Sequence, residues 1–148
     1  MDMITIREAT AADLEPIYAL ICELEQCELS HAGFDHAFTL QREDPRYRCL
    51  IAEEGGNAVG VLNMRMEWQL HHAARIAEVM ELVVSPEARG KGIGRQLLDA
   101  AREVARVQGC VQIELVSNRR RLDAHRFYAR EQMTQSHVGF TQPLSSDL

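Results

Sequence analysis

One stretch, Glu81-Leu82-Val83-Val84-Ser85-Pro86-Glu87-Ala88-Arg89-Gly90-Lys91-Gly92-Ile93-Gly94, constrains this chain more than any other. An apolar, β-branched run suited to a buried strand stops at a proline, passes through a turn with glycine at every second position, and continues into apolar residues at helical spacing. Gly90, Gly92 and Gly94 remove the side chains that would hold a ligand off the backbone. A helix beginning there offers unpaired N–H groups and the positive end of its dipole. The segment reads as a strand-turn-helix that binds an anion. A nucleotide P-loop needs Ser or Thr directly after its lysine to place Mg²⁺, and here Gly92 follows Lys91. The dinucleotide fingerprint needs a third glycine three residues after the second, and here position 95 is Arg, with Gly94 one residue early.

At 148 residues and 46% hydrophobic content, the chain has material for one sizeable core and is short for two. No apolar run nears the ~20 residues of a membrane span. The start, Met1-Asp2-Met3-Ile4-Thr5-Ile6-Arg7, lacks the basic and apolar regions of a signal peptide, so a cytoplasmic protein is expected. Cys22, Cys27, Cys49 and Cys110 show neither metal-type pairing nor a close disulfide framework, and reduced thiols are expected. A formal charge of −6 argues against general nucleic-acid binding. The local cluster Arg119-Arg120-Arg121 reads either as an anion contact or as a solvated loop.

Strands and helices alternate without a linker or repeat, which predicts one domain over 1–148. A short strand is expected over 3–7. Thr10-Ala11-Ala12-Asp13 resembles a capping box, followed by a helix with Leu14, Ile17, Leu20, Ile21 and Leu24 at helical spacing. A second, irregular helix is expected within 28–41. Strands over 49–53 and 58–68 flank a Gly55-Gly56-Asn57 turn. A loop over 69–74 leads into a long strand over 75–84. Ile93, Leu97, Ala101, Val104 and Ala105 line one face of a helix to about Gln108, stopped at Gly109. A strand over 111–116, a short helix over 122–131 and a last strand over 136–142 complete the order.

Arg89-Gly90-Lys91-Gly92-Ile93-Gly94 after Leu82-Val83-Val84-Ser85-Pro86 resembles the pyrophosphate-binding turn of the GNAT superfamily of N-acetyltransferases. The order β-α-α-β-β-β-α-β-α-β is similar to that fold, an α/β (α+β) arrangement with a central mixed, mostly antiparallel sheet flanked by helices. Asp123-Ala124-His125-Arg126-Phe127-Tyr128 resembles the Arg-x-x-Ala-His-x-Phe-Tyr helix that many members carry. The resemblance implies acetyl-coenzyme A as cosubstrate. It would be held by the backbone of Leu82, Val83 and Val84 and by Arg89, Gly90, Lys91, Gly92, Ile93 and Gly94. Asn118 either bonds the coenzyme or caps the turn that follows it. Tyr128 would face the coenzyme sulfur, or else serve as a half-buried aromatic beside Phe127. The Gly-Phe or Gly-Tyr usual after this helix is replaced by Gln132-Met133, which puts the local turn geometry in question.

A narrower likeness, to the aminoalkylphosphonate N-acetyltransferases of phosphonate metabolism, is carried by four segments. They are Gln69-Leu70-His71-His72, the strand from Ile76 to Val84, the helix with Tyr18-Ala19-Leu20-Ile21-Cys22-Glu23-Leu24, and Gln135-Ser136-His137-Val138-Gly139-Phe140-Thr141. It implies acetyl transfer to the primary amine of a small aminoalkylphosphonate, with a divalent metal ion assisting. One of His71 and His72, with a strand carboxylate and the phosphonate, would then make a mixed N/O site. Another small amine or a protein N-terminus as acceptor, and an acetyl-CoA sensor without turnover, remain as alternatives. The partner expected is a small molecule, with neither nucleic acid nor membrane. A homodimer through the last strand is common in the superfamily but is not required by these residues.

The chemistry itself demands a base, because an ammonium must lose a proton before its lone pair attacks a thioester. Glu78 and Glu81 interrupt an apolar strand, where burial raises a carboxyl pKa. Alternation puts Glu78 with Met80, Leu82 and Val84. Its place six residues before Val84 resembles the superfamily's base position, which favours Glu78 acting through water. The alternative for Glu78 is a structural pair with Arg65 or Arg75, and for Glu81 a structural role is expected. A phenol at Tyr128 would protonate the departing thiolate, and a backbone N–H near Val84 would meet the oxyanion.

Overall fold

The structure, a computed structural model, describes residues 3–145. It divides into two compact units, Met1–Leu115 and Val116–Leu148. In the first, β1 (Ile4–Glu8), β2 (Tyr47–Glu54), β3 (Asn57–Gln69), β4 (Ala74–Val84) and β5 (Gln112–Leu115) form one sheet in that order. The first three pairings are antiparallel and β4 with β5 is parallel. Gly55 and Gly56, at φ 59° and 81°, make the tight turn between β2 and β3.

Partners across an antiparallel ladder share a face, so the register sorts the side chains. Val61 and Val83 lie opposite each other and pack with Ile51 against Ile17, Leu20 and Ile21 of α1 (Leu14–Glu25) and Phe38 of α2 (His31–Arg42). The other face carries Gly60, Leu62 and Met64 and receives α3 (Ile93–Val107), whose buried stripe is Ile93, Leu97, Leu98, Ala101 and Ala105. The two apolar helix faces and the two-sided apolar strands read from the sequence thus bury one another in three layers. Gly109, at φ 79°, ends α3 where the sequence places the stop.

The capping box forms. Thr10 Oγ1 accepts the Ala12 N–H at 3.3 Å, and Asp13 accepts the Thr10 N–H at 2.7 Å. Asp13 also accepts both Arg7 Nη groups at 2.8 Å. The Arg7 guanidinium holds the buried carboxyl at about 2, below its ordinary 3.8. With the folded pKa depressed, the stabilisation is fully present above the unfolded value and is lost as pH falls through the folded one. Asp13→Asn should cost about 1–2 kcal/mol at neutral pH and flatten the stability curve between 3.8 and about 2. Urea unfolding across that range checks both, and an unchanged acid limb would dismiss the role.

Three expectations change. The helix within 28–41 is regular, not irregular: α2 starts at His31 because the Ser30 hydroxyl caps it, accepting the Gly33 N–H at 3.1 Å. The 69–74 loop holds a 3₁₀ turn, Leu70–His72, closed by Ala73 in the left-handed region at φ 50°. The strand expected over 136–142 does not form, and the element order ends at α4 (Leu122–Arg130). Alternation there supplies only Val138 and Phe140, which are 79% and 91% exposed with Gly139 between them. Two uncovered apolar side chains cannot offset the entropy of ordering a strand that has no ladder partner among the described residues.

Candidate active site

Beyond β4, a 3₁₀ turn at Pro86–Ala88 swings the chain towards α3. Gly90 and Gly92 take φ 83° and 76°, in the left-handed region, and a Cβ at either would meet no other atom, so the surface over the turn is open. Gly92 is the N-cap of α3 and no side chain caps that helix. Its leading N–H groups, from Ile93 and Gly94 onward, are therefore available to an anion. Lys91 Nζ stands 3.1 Å from both carboxylate oxygens of Glu54, and exposed Arg89 donates to the Val84 carbonyl at 3.3 Å. The open glycine turn and uncapped helix start read from the sequence are present.

The parallel ladder joins only Ile76 to Val79 with Gln112 to Leu115. Among the described residues of this unit, no strand lies beside Leu82, Val83 and Val84 on that edge. Their backbone groups can take an extended ligand arm as an added strand.

Strict alternation fails between those two regions. Asn63 pairs with Glu81, but the next residue, Met64, pairs with Val79, which leaves Met80 as the extra residue of a β-bulge. Glu78 therefore does not share a face with Leu82 and Val84. It shares one with Glu81 and Val83, towards α1 and α2, opposite Arg65 and Asn63 respectively. A three-residue spacing on a strand, which ought to separate two carboxylates, brings them together.

Their surroundings differ. Glu78 accepts from Arg65 Nη2 at 3.0 Å, and Arg65 also lies 3.1 Å from Glu67, so the pairing held open as the structural alternative exists. Glu81 has no ion-pair partner among the described residues. It accepts from Asn63 Nδ2 at 3.0 Å, and the same Nδ2 donates to Gln41 Oε1 at 2.9 Å. Burial pushes the Glu81 carboxyl above its ordinary value, the Asn63 N–H opposes that, and the charges of Glu25 and Glu78 add to the rise. Burial, with Glu81 nearby, also pushes the Cys49 thiol up to about 12. Sequence reasoning passed over Asn63 and Gln41. The signal for Asn63 was the one used for the glutamates, a polar residue between apolar Leu62 and Met64, whereas Gln41 at the end of α2 offers none.

In the second unit, Tyr128 is half-buried on α4, edge-on to Phe127 with ring centroids 5.5 Å apart. Burial raises its phenol pKa, and the Arg121 charge opposes the rise. Asn118 takes the local role: Oδ1 accepts the Arg120 N–H at 2.9 Å and its carbonyl accepts the Arg121 N–H at 3.0 Å. Gln132 stands where the family's glycine is usual and is forced to φ 69°.

His71 and His72 sit together at the β3–β4 turn, their ring centroids 4.3 Å apart, and His72 Nδ1 contacts Gln69 Oε1 at 2.8 Å. No group of three His, Cys, Asp or Glu side chains among the described residues is arranged to hold a metal ion. The two imidazoles, with no third protein donor beside them among the described residues, do not by themselves make a site for a resident divalent ion. No described helix is long and apolar enough to cross a membrane.

A sequence model described as the acetyltransferase (GNAT) family matches residues 15–132. Among curated proteins, the aminoalkylphosphonate N-acetyltransferase of Salmonella typhimurium is 44% identical over 97% of this chain and 94% of its own length. The thialysine N-epsilon-acetyltransferase of Mus musculus is 29% identical over 88% of this chain and 86% of its own length. Among solved structures, a protein described as a transcriptional regulator from Bacillus halodurans superposes with a TM-score of 0.88 at 29% identity, covering 96% of this chain and all of that one.

Proposed function

Because this chain belongs to the GNAT family of acetyltransferases, we propose that it transfers the acetyl group of acetyl-coenzyme A to the primary amine of a small aminoalkylphosphonate. The observation that carries the acceptor is the 44% identity, over nearly the whole of both chains, with an enzyme named for that substrate. The general activity, N-acetyl transfer, follows from the family and does not depend on the acceptor.

In the proposed reaction the coenzyme's diphosphate lies on the N–H groups that open α3, with Gly90 and Gly92 giving it access to the backbone. The pantetheine arm runs along Leu82, Val83 and Val84, and a backbone N–H near Val84 meets the oxyanion of the tetrahedral intermediate. The base is Glu81 and not Glu78. Glu78 is engaged by Arg65, whereas Glu81 is half-buried, has no ion-pair partner among the described residues, and has its pKa raised by burial, which makes it the better proton acceptor. Glu81 takes the ammonium proton, the freed lone pair forms the N–C bond, and the C–S bond breaks as the intermediate collapses. Tyr128 gives its proton to the thiolate. Burial makes that phenol a weaker acid, so the thiolate must lie in surroundings that raise its own proton affinity comparably.

The reading is tested by release of coenzyme A thiol from acetyl-CoA with aminomethylphosphonate, 2-aminoethylphosphonate, thialysine, lysine, spermidine and a peptide N-terminus, all in buffer containing a divalent cation. The highest kcat/KM is expected for the aminophosphonates. Faster turnover of thialysine, the acceptor named for the mouse relative, would replace the acceptor and leave the family chemistry standing.

A further inference from the structure

A cavity of about 220 Å³ lies beneath the C-terminal end of α2, against the sheet face that carries the two glutamates. Its lining includes Phe38, Gln41 and Arg42 of α2, Cys49 of β2 and Asn63 of β3. It is below the ~300–1,000 Å³ usual for drug-sized ligands, a volume for a small acceptor. One polar chain links it to the proposed base: Asn63 Nδ2 donates at once to Gln41 Oε1, at 2.9 Å, and to Glu81 Oε2, at 3.0 Å. With both bonds made through the nitrogen, the amide orientation is set, and Asn63 Oδ1 is left as an acceptor at the cavity wall.

The charges at the rim are unequal in their commitments. Asp44 is held by Arg46 at 2.7 Å, and Glu8 by Arg48 at 2.7 Å. Arg42 rests over the Phe38 ring, 5.9 Å from its centroid, and has no carboxylate partner among the described residues. The cavity therefore has an amide end at the sheet, bonded through Asn63 to Glu81, and an uncompensated guanidinium at the helix, which suits an amine with an anionic tail.

We propose that this cavity is the acceptor pocket, in which Gln41 and Asn63 are positioning residues that aim the Glu81 carboxylate at the amine, and Arg42 recognises the acceptor's anionic group. This rests on the proposed transfer to an anionic amine. Cys49 contributes a small apolar wall: its thiol, pushed up to about 12, is not a nucleophile at neutral pH. The charged and titratable groups that act on Glu81 are Glu25 of α1 and Glu78 of β4, with the Cys49 thiol of β2 beside it. Of the side chains that hydrogen-bond to it, the Asn63 amide favours the ionised form. Removing that N–H moves the Glu81 pKa further up, so the acidic limb of kcat/KM must shift to higher pH.

The test uses the full chain with 2-aminoethylphosphonate and, as an acceptor without the anion, propylamine. Arg42→Gln should raise KM for the aminophosphonate by about 10- to 100-fold, leave KM for acetyl-CoA and the propylamine kinetics in place, and be partly rescued by Arg42→Lys. Asn63→Ala should shift the acidic limb upward, and Gln41→Ala, which leaves the strand intact, should shift it in the same direction by less. Equal losses on both acceptors, or an acidic limb that stays in place in the Gln41 and Asn63 variants, would overturn the pocket. If the wild-type chain turns over no anionic amine, the acceptor reading falls and the role of Arg42 with it. An active wild type with an unaffected Arg42→Gln variant removes the pocket alone.

Discussion

Glu81→Gln is expected to lower kcat by about 10²–10⁴, the usual contribution of a positioned general base, while acetyl-CoA still binds at the glycine turn. The amide is close in shape to the carboxylate, and its oxygen can still accept from Asn63 Nδ2, now 3.0 Å from Glu81 Oε2, so loss of turnover cannot be assigned to collapse of the pocket. Stability should move the other way. The folded-state pKa of Glu81 is raised above its ordinary 4.5, mainly by burial. Between those two values the folded protein binds more protons than the unfolded chain, so stability falls as pH rises through that window and stays lowered above it. Glutamine has no such dependence, and the variant should therefore melt at neutral pH no lower than the parent. Glu78→Gln is the control. It weakens a partly exposed pair with Arg65, which is 3.0 Å away, and should cost at most about 1 kcal/mol with less than about a tenfold change in kcat. Steady-state kinetics and thermal melts of the two variants decide the matter: a dead Glu78→Gln beside an active Glu81→Gln would return the base to Glu78.

Gly60→Ala should be the most destabilising single-methyl change in the sheet. A Cβ there would lie 3.1 Å from Leu97 Cδ1, 3.3 Å from Ile93 Cγ2 and 3.3 Å from the Val83 carbonyl oxygen. Replacing glycine within a strand is worth roughly 0.5–1 kcal/mol through the unfolded chain, but overpacking a filled core costs about 1–3 kcal/mol, and the second effect wins. Leu97 and Ile93 are fully buried and the carbonyl belongs to a paired strand, so none of the three can move away cheaply. The strain falls on the first turn of α3, whose N–H groups make up the proposed diphosphate site. A loss of about 1–3 kcal/mol in urea unfolding should therefore come with a higher KM for acetyl-CoA and an unchanged acidic limb. A variant as stable as the parent would mean that α3 shifts freely on the sheet.

Much of this molecule was legible in the residues because the relevant physics is local. Helix spacing in Leu14 to Leu24 and Ile93 to Ala105, the Gly55-Gly56 turn and the glycine turn before α3 all depend on a few neighbouring residues, and the structure has each of them. Where a partner was needed, local reading failed. Among the described residues, Val138 and Phe140 alternate as a strand would yet have no ladder, and His71 and His72 have no third protein donor. Gln132 shows the converse: a residue poorly suited to φ 69° holds it because the chain must turn there.

The candidate site divides along the same line. The sequence by itself determined the open glycine turn at the start of α3, the apolar strand leading to it, and the presence of two carboxylates within that strand, because glycine permissiveness, β-branching and helix-end polarity act within a dozen residues. Only the tertiary structure decided which carboxylate is engaged by an arginine and which by an amide. The extra residue at Met80 is visible only against β3; it puts Glu78 and Glu81 on one face and gives Arg65 to the first and the Gln41–Asn63 amide pair, which lines the cavity under α2, to the second. Register between strands is a property of two chain segments at once, and no periodicity within one of them can report it.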